Sequence, residues 1–397
     1  MIRKVLVNTA LVVASTAFAL GLLFVGGELL LRAKYGSVPP GPPRDWAEFD
    51  ERRGWTMKPG RYSYFEVRAA RRVDVAINEL GLRQGALAPE PPAGVERISV
   101  VGDSFVFGPP VDDAETIPAQ LQALAGDGYE VVNISAPGYG TAQQYRLIED
   151  LRAKGIKLGS KVVLTFFTND VLDNLALNYR TLAPNPRQPA YTVDAAGELK
   201  QVSFPVARAP RKDAGKPPGL LKRSLFAAYV HYQVEVLAMS YPRIVSALQS
   251  VGMTPSLPRT PGIVLGWHSP GWEEQWQVSA RVIEYVVKQL RALPEAPEVY
   301  IAFMPSPFQV QETFRRAVAS EVGEDARYKD FLADPDRPQR VLRTLAEGLD
   351  VPFIDLTPAV RAASAETPLY YPREGHFNEA GCRVAAEVLY ERVIRGR

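Results

Sequence analysis

The stretch Arg97-Ile98-Ser99-Val100-Val101-Gly102-Asp103-Ser104-Phe105-Val106-Phe107-Gly108 sets a short apolar, β-branched run directly against a Gly-Asp-Ser turn. A run of this kind bounded by turn residues reads as a buried strand. Four more follow, at 129–134, 161–167, 299–305 and 351–356, with helical patterns between them at 116–124, 143–154 and 280–293. Buried strands alternating with helices predict an α/β domain built on a parallel five-stranded sheet. In such sheets ligands sit outside the carboxyl ends of the strands, so the chemistry is expected in the loops that follow these runs.

The rest of the 397 residues is arranged around that core. With 46 basic and 44 acidic residues the net charge is +2, which gives no global reason to expect a nucleic-acid partner. Cys382 is the one cysteine, which excludes an intrachain disulfide framework and a cysteine-rich zinc site. No charge occurs in residues 5–27. As a helix this stretch reaches about 35 Å, enough to cross a hydrocarbon core of about 30 Å. Arg3 and Lys4 before it favour placing the rest of the chain outside the cytoplasm, periplasmic or at the cell surface, while Arg32 and Lys34 beyond it weigh against that orientation. The rival reading is a cleaved signal peptide, with Ala17-Phe18-Ala19 as its site. Against it, the apolar run continues through Val25.

After the span, the segment YGSVPPGPP (35–43) reads as a stiff extended spacer. Residues 62–67 and 73–77 read as short strands of a small β extension. The interval 175–290 is too long for one crossover and is expected to be an insertion or lid. It opens with a basic stretch in which Lys200, Arg208, Arg211, Lys212, Lys216, Lys222 and Arg223 face Asp213 alone. That stretch reads as a solvated loop, with contact to anionic lipid or glycan as the functional alternative. A helical pattern over 225–249 reads as a cap helix, with His231 packed in its apolar stripe. Ser269-Pro270 reads as a helix start that sets Trp272 and Trp276 one turn apart, buried against the sheet in preference to stacking on sugar. The expected division is therefore an anchor (1–35), a linker with a β extension (36–95), and one domain (96–397) interrupted by 175–290.

Three strand-end loops and one C-terminal loop carry reactive groups. Ser104 follows the first strand, Gly138 the second, in Ser135-Ala136-Pro137-Gly138-Tyr139-Gly140, and Asn169 the third, in Thr168-Asn169-Asp170. His376 stands in Pro372-Arg373-Glu374-Gly375-His376-Phe377-Asn378, just before a final helix that Asn378 can cap. A serine hydroxyl is inert until a base takes its proton, and His376 is the histidine at the right junction. His268 lies on a loop and has less claim to the site. Asp103 and Asp170 invite a metal reading, but no further ligand recurs at a suitable spacing. Neither a metal nor a cofactor is expected, and both aspartates are read as accepting backbone N–H groups in their turns.

These blocks, in this order and strand context, resemble the SGNH (GDSL-type) hydrolase superfamily over about 96–174 and 296–397. Ile77-Asn78-Glu79-Leu80-Gly81-Leu82-Arg83 also resembles the run that precedes the first block in its membrane-anchored bacterial members. The resemblance implies a flavodoxin-like three-layer sandwich, with Ser104 as nucleophile and His376 as general base. It also implies an oxyanion hole made by the Ser104 and Gly138 N–H groups and the Asn169 side chain. The commonest family pattern has an Asp three residues before the histidine; here that residue is Arg373, which cannot accept a hydrogen bond. Glu374 is the expected acid, with a Ser-His dyad as the alternative and Asp355 as a weaker substitute that reads better as a cap. Members that acetylate alginate-like glycans are similar in keeping an acid two residues from the histidine, though with Asp and in a different order.

The expected activity is hydrolysis of a carboxylic ester, an O-acyl or O-acetyl group on a cell-surface glycan being the candidate. Transfer of the same acyl group to a sugar hydroxyl is one alternative, and a non-catalytic glycan- or partner-binding module is another.

Overall fold

The computed structural model describes residues 2–43, 45–178, 182–207, 219–240, 266–268, 271–312, 314–316 and 326–397. Its centre is a five-stranded parallel sheet of β5 (Glu96–Gly102), β6 (Tyr129–Ser135), β7 (Lys161–Phe167), β10 (Glu298–Met304) and β11 (Phe353–Asp355). The strands lie in the order β6-β5-β7-β10-β11. Numbered along the chain within the sheet, that is 2-1-3-4-5, the flavodoxin-like order, whose direction reverses between β5 and β7. The fold is thus the expected three-layer α/β sandwich.

Because successive strand side chains point to opposite faces, each strand feeds two cores. Val101, Leu164, Phe166, Ile301 and Phe303 pack in one, together with residues of the helices Thr141–Ala153 and Trp272–Arg291. Val100, Val163, Tyr300, Ala302 and Ile354 pack in the other, with the helices Ile117–Ala125 and Glu379–Leu389. Trp272 and Trp276 are buried and stacked, 6.1 Å apart, with Trp267 and Phe166 against them. Their helix begins at Trp272, two residues past the Ser269-Pro270 start that the sequence suggested, while Ser269 and Pro270 themselves lie outside the described residues.

Ahead of the sheet come two hairpins, β1 (Ala47–Asp50) with β2 (Gly54–Met57) and β3 (Gly60–Glu66) with β4 (Arg71–Ile77). Tyr64, Val73, Val75 and Ile77 of the second join the core that holds Val101 and Ile134. The proline-rich segment is not a free spacer. The Phe65 N–H donates to Pro39 (2.8 Å) and the Gly41 N–H to the Phe65 carbonyl (2.8 Å), with Val38 buried beside them. An extended chain with few N–H groups of its own can still supply the carbonyl a strand edge lacks.

Arg83, at the end of the run before the first block, is buried and links this N-terminal region to the turn after β5. Its guanidinium donates to the carbonyls of Phe107 (2.9 Å) and Val111 (2.7 Å) and pairs with Asp113 (2.8 Å). The helix Ser104–Phe107 is only one turn long, so its last carbonyl lacks an intrahelical partner, and Arg83 supplies one.

Beyond the sheet, the interval between β7 and β10 holds a hairpin of β8 (Ala190–Val193) and β9 (Leu199–Ser203) and a helix, Leu225–Ser240. Of the basic stretch, Arg208, Arg211, Lys212, Lys216 and the lone Asp213 lie outside the described residues. His231 is not packed as expected: its side chain is 60% exposed and lies 3.1 Å from Glu235. The N-terminal helix runs Ile2–Tyr35, and within it Val7–Tyr35 is long and apolar enough to cross a membrane. Replacing Arg83 with Leu leaves buried carbonyls without a donor. It is expected to lower stability by about 3 kcal/mol, seen as an earlier urea midpoint of the full-length protein in detergent.

Candidate active site

The turn after β5 is shaped by Asp103, whose carboxylate accepts the Phe105 N–H (2.9 Å) and caps the short helix that begins at Ser104. A Cβ at Gly102 would meet the Thr165 hydroxyl at 2.1 Å, so only glycine lets the chain pass there. This places the Ser104 Oγ 2.7 Å from His376 Nε2. The imidazole comes from the far end of the chain. The Asn378 side chain accepts the Gly381 N–H (2.9 Å) to start the last helix, and the Tyr371 N–H donates to the His376 carbonyl (3.0 Å) to close the loop before it. Phe105 lies against the ring, 4.9 Å between centroids.

His376 Nδ1 contacts Glu374 Oε2, and the His376 backbone N–H reaches the same oxygen at 3.3 Å. The other carboxylate oxygen, Oε1, lies 2.7 Å from Arg68 Nη2. Burial alone would push the Glu374 carboxyl up; the charges of His376 and Arg68 and the hydrogen bonds to His376 outweigh it and hold the carboxyl below its usual range. For His376 burial favours the neutral ring, but the Glu374 carboxylate raises its pKa above the ordinary value. Glu66 is buried nearby, its carboxyl raised by burial and by the Glu374 charge, so it takes up a proton before Glu374 does.

Arg68 was not singled out in the sequence. It sits in the β3–β4 turn, and only tertiary structure brings it to Glu374. Arg373 has a role that its sequence position hid. Instead of facing the imidazole it forms a buried ion pair with Glu235 of the helix Leu225–Ser240. Asp355 is the cap that its position suggested, accepting the Thr357 N–H at 2.9 Å.

The other strand ends converge on the same edge of the sheet. Asn169 Nδ2 donates to Asp173 Oδ2 (2.7 Å) and lies 3.3 Å from Asp103 Oδ2. Asp173 in turn accepts Gln188 Nε2 (2.8 Å), and Gln188 also donates to the Gly138 carbonyl (2.9 Å). Gln188 and Asp173 therefore hold the second and third turns together, another pairing absent from the sequence reading. Gly138 has φ +77°, a left-handed conformation that favours glycine, and a Cβ there would press on Trp55 at 3.3 Å. Asp170 accepts the Phe167 N–H (2.6 Å) and Gln144 Nε2 (3.3 Å), as a turn residue does. Burial first, and the Asp103 charge second, raise its carboxyl well above the usual range. Among the described residues no group of three or more His, Cys, Asp or Glu stands where it could hold a metal ion.

No family model matches the chain, and no curated protein matches its sequence. Among solved structures, a carbohydrate acetylesterase family member from Sinorhizobium meliloti aligns over 76% of this chain and 98% of its own, at 15% identity and a TM-score of 0.37. A lipolytic protein of the G-D-S-L family from Desulfitobacterium hafniense aligns over 74% and 97%, at 11% identity and 0.33. An acetyl-xylooligosaccharide esterase from Geobacillus Stearmophilus aligns over 75% and 94%, at 12% identity and 0.34.

The three histidines make the site's electrostatics measurable one ring at a time. His376 is expected to titrate above the ordinary 6.5. His231 and His268, lowered first by burial and then by neighbouring arginines, should titrate below it. In histidine-selective NMR, Glu374→Gln should bring the His376 titration down, and Arg68→Gln should move it up, because one removes an attracting charge and the other a repelling one.

Proposed function

We propose that the chain is a serine ester hydrolase in which Ser104 is the nucleophile, His376 the general base and Glu374 the group that orients and supports the imidazole. The observation that carries this is the continuous relay from Ser104 Oγ through both nitrogens of His376 to a buried carboxylate. As the Ser104 oxygen attacks the ester carbonyl carbon, its proton passes to His376 Nε2. The tetrahedral adduct then expels the alcohol, which leaves with that proton, and an acyl group stays on Ser104. Water then attacks the acyl carbon and gives a proton to His376 Nε2; the second adduct breaks its bond to Ser104 Oγ, which takes that proton back from His376, and the carboxylic acid is released.

For the oxyanion we assign the N–H groups of Ser104 and Gly138 and the Asn169 amide, one of whose hydrogens is fixed on Asp173 while the other faces the weaker contact with Asp103. The two backbone N–H groups are fixed in advance and need no rearrangement when charge develops, whereas Asn169 must give up its 3.3 Å contact with Asp103 to join them. The substrate we propose is an O-acyl group on a cell-surface glycan, met by a domain held outside the cytoplasm on the N-terminal helix. The likeness of the Glu374 position to that of the acid in glycan-acetylating relatives supports that choice.

Hydrolysis of p-nitrophenyl acetate by the full-length protein tests the reading. Ser104→Ala should reduce the rate to background, and Glu374→Gln should lower it by about 10⁴-fold. Asn169→Ala should cost about 10²–10³-fold in kcat. Only neutral His376 can take the proton, so the rate should fall as pH drops through its raised pKa, and Glu374→Gln should move that limb to lower pH. Undiminished hydrolysis in Ser104→Ala would overturn the assignment. A rise in acyl transfer over hydrolysis when an oligosaccharide is added would mark the chain as a transferase.

A further inference from the structure

The helix Leu225–Ser240 is fixed at its start to the last turns of the N-terminal helix. Glu28 Oε2 accepts the Ser224 hydroxyl (2.7 Å) and the Phe226 N–H (2.9 Å). Phe226 meets Phe24 edge-on at 5.6 Å, and a Cβ on Gly27 would fall 2.3 Å from the Phe226 ring, so the glycine is what admits it. Arg32 pairs with Glu28 (2.7 Å) and donates to the Arg223 carbonyl (3.1 Å). The charge-free stretch that ends at Gly27 suffices to fill the hydrocarbon core, so these contacts fall where acyl chains give way to headgroups.

The helix is apolar over most of its surface, and its sides differ in what each one touches. At 3.6 residues per turn, Phe226, Val230, Gln233 and Leu237 share one strip, and Glu235 points to the opposite side. Val230 is 41% exposed and Leu237 47%, so among the described residues the face that touches the N-terminal helix continues, half-exposed and mostly apolar, away from it. Exposed Leu221, Lys222 and Arg223 precede it, an apolar and cationic start suited to an anionic headgroup layer. Glu235 holds Arg373, the residue next to Glu374. It lies nine residues past Phe226, only about 13 Å further along the axis.

We propose that the helix Leu225–Ser240 is an interfacial helix, lying in the headgroup layer of the bilayer that holds the N-terminal helix, with Val230 and Leu237 turned to the acyl chains. Its other face, through the Glu235–Arg373 pair, keeps the catalytic loop at the membrane surface. The inference rests on the anchor reading of the N-terminal helix. The occupant of the strip is the bilayer because the strip is continuous with a contact made at the bilayer's own boundary.

The test uses the full-length chain in phosphatidylcholine–phosphatidylglycerol vesicles, in a Cys382→Ala background, with a nitrobenzoxadiazole label on single cysteines replacing Leu22, Val230, Leu237 or Asp127. Asp127 is exposed at the opposite, amino edge of the sheet. Spin-labelled lipids should quench the labels at Leu22, Val230 and Leu237 at least about twofold more than the label at Asp127. Quenching at Leu22 with Val230 and Leu237 no different from Asp127 overturns the interfacial helix and leaves the anchor standing. No quenching at Leu22 defeats the anchor reading, and the inference with it. Hydrolysis of p-nitrophenyl acetate by the same preparations reports folding, and reports separately on the esterase reading.

Discussion

A carboxylate buried without partners would take up a proton, and the geometry of this site depends on Glu374 not doing so. Two partners hold its charge in place: the His376 imidazole at one oxygen and the Arg68 guanidinium at the other. The pair of contacts also fixes the carboxylate in orientation, because each oxygen is committed to a different direction. His376 inherits that order, and its Nε2 is aimed at Ser104 with no freedom left for the ring to turn. The neighbouring Glu66, whose carboxyl is raised by burial and by the Glu374 charge, lies beside it, and Arg68 sits between the two acids and pairs with both.

How legible this was in the sequence depends on the range of the interaction. The five apolar runs announced the sheet, since a strand buried on both faces needs little beyond its own composition. Ser104, Gly138, Asn169 and His376 could be picked out because each sits in a turn whose local chemistry is written in adjacent residues. Glu374 was accessible for the same reason, being two residues from His376. Arg68, Arg83, Gln188 and Glu235 were not, since each acts on a group far away in sequence, and nothing in a surface-type residue on a hairpin turn or a helix shows which distant charge it will meet. Arg373 illustrates the limit well. Its inability to accept a hydrogen bond was plain, but that it would instead donate to an acid on the helix Leu225–Ser240 depended on the packing of that helix.

The same distinction explains the misreadings. His231 has helical spacing with apolar neighbours and shares a face with Glu235, yet it lies exposed one turn before Glu235 reaches Arg373, because the helix is held at separate points, on Glu28 and on Arg373, and not by a continuous stripe packed on the sheet. The proline-rich segment has the composition of a spacer, and it docks because Phe65 offers an N–H and a carbonyl to any extended chain alongside. Composition reports what a segment can do alone, and both segments are decided by a neighbour.

The Arg68 contact changes what counts as a self-sufficient unit. The sheet and its four reactive loops all lie between residue 96 and the C-terminus, so a cut before β5 would look like a clean excision. Such a fragment would retain Ser104, His376 and Glu374 while discarding the guanidinium paired with Glu374 and the one that braces the turn at Ser104. The hairpin residues therefore serve the same relay as the groups in the strand-end loops. A recombination event or a designed chimera that exchanges the first hundred residues for those of another protein must bring an equivalent cation to Glu374, or it transplants the sheet and its loops without the contact that fixes Glu374.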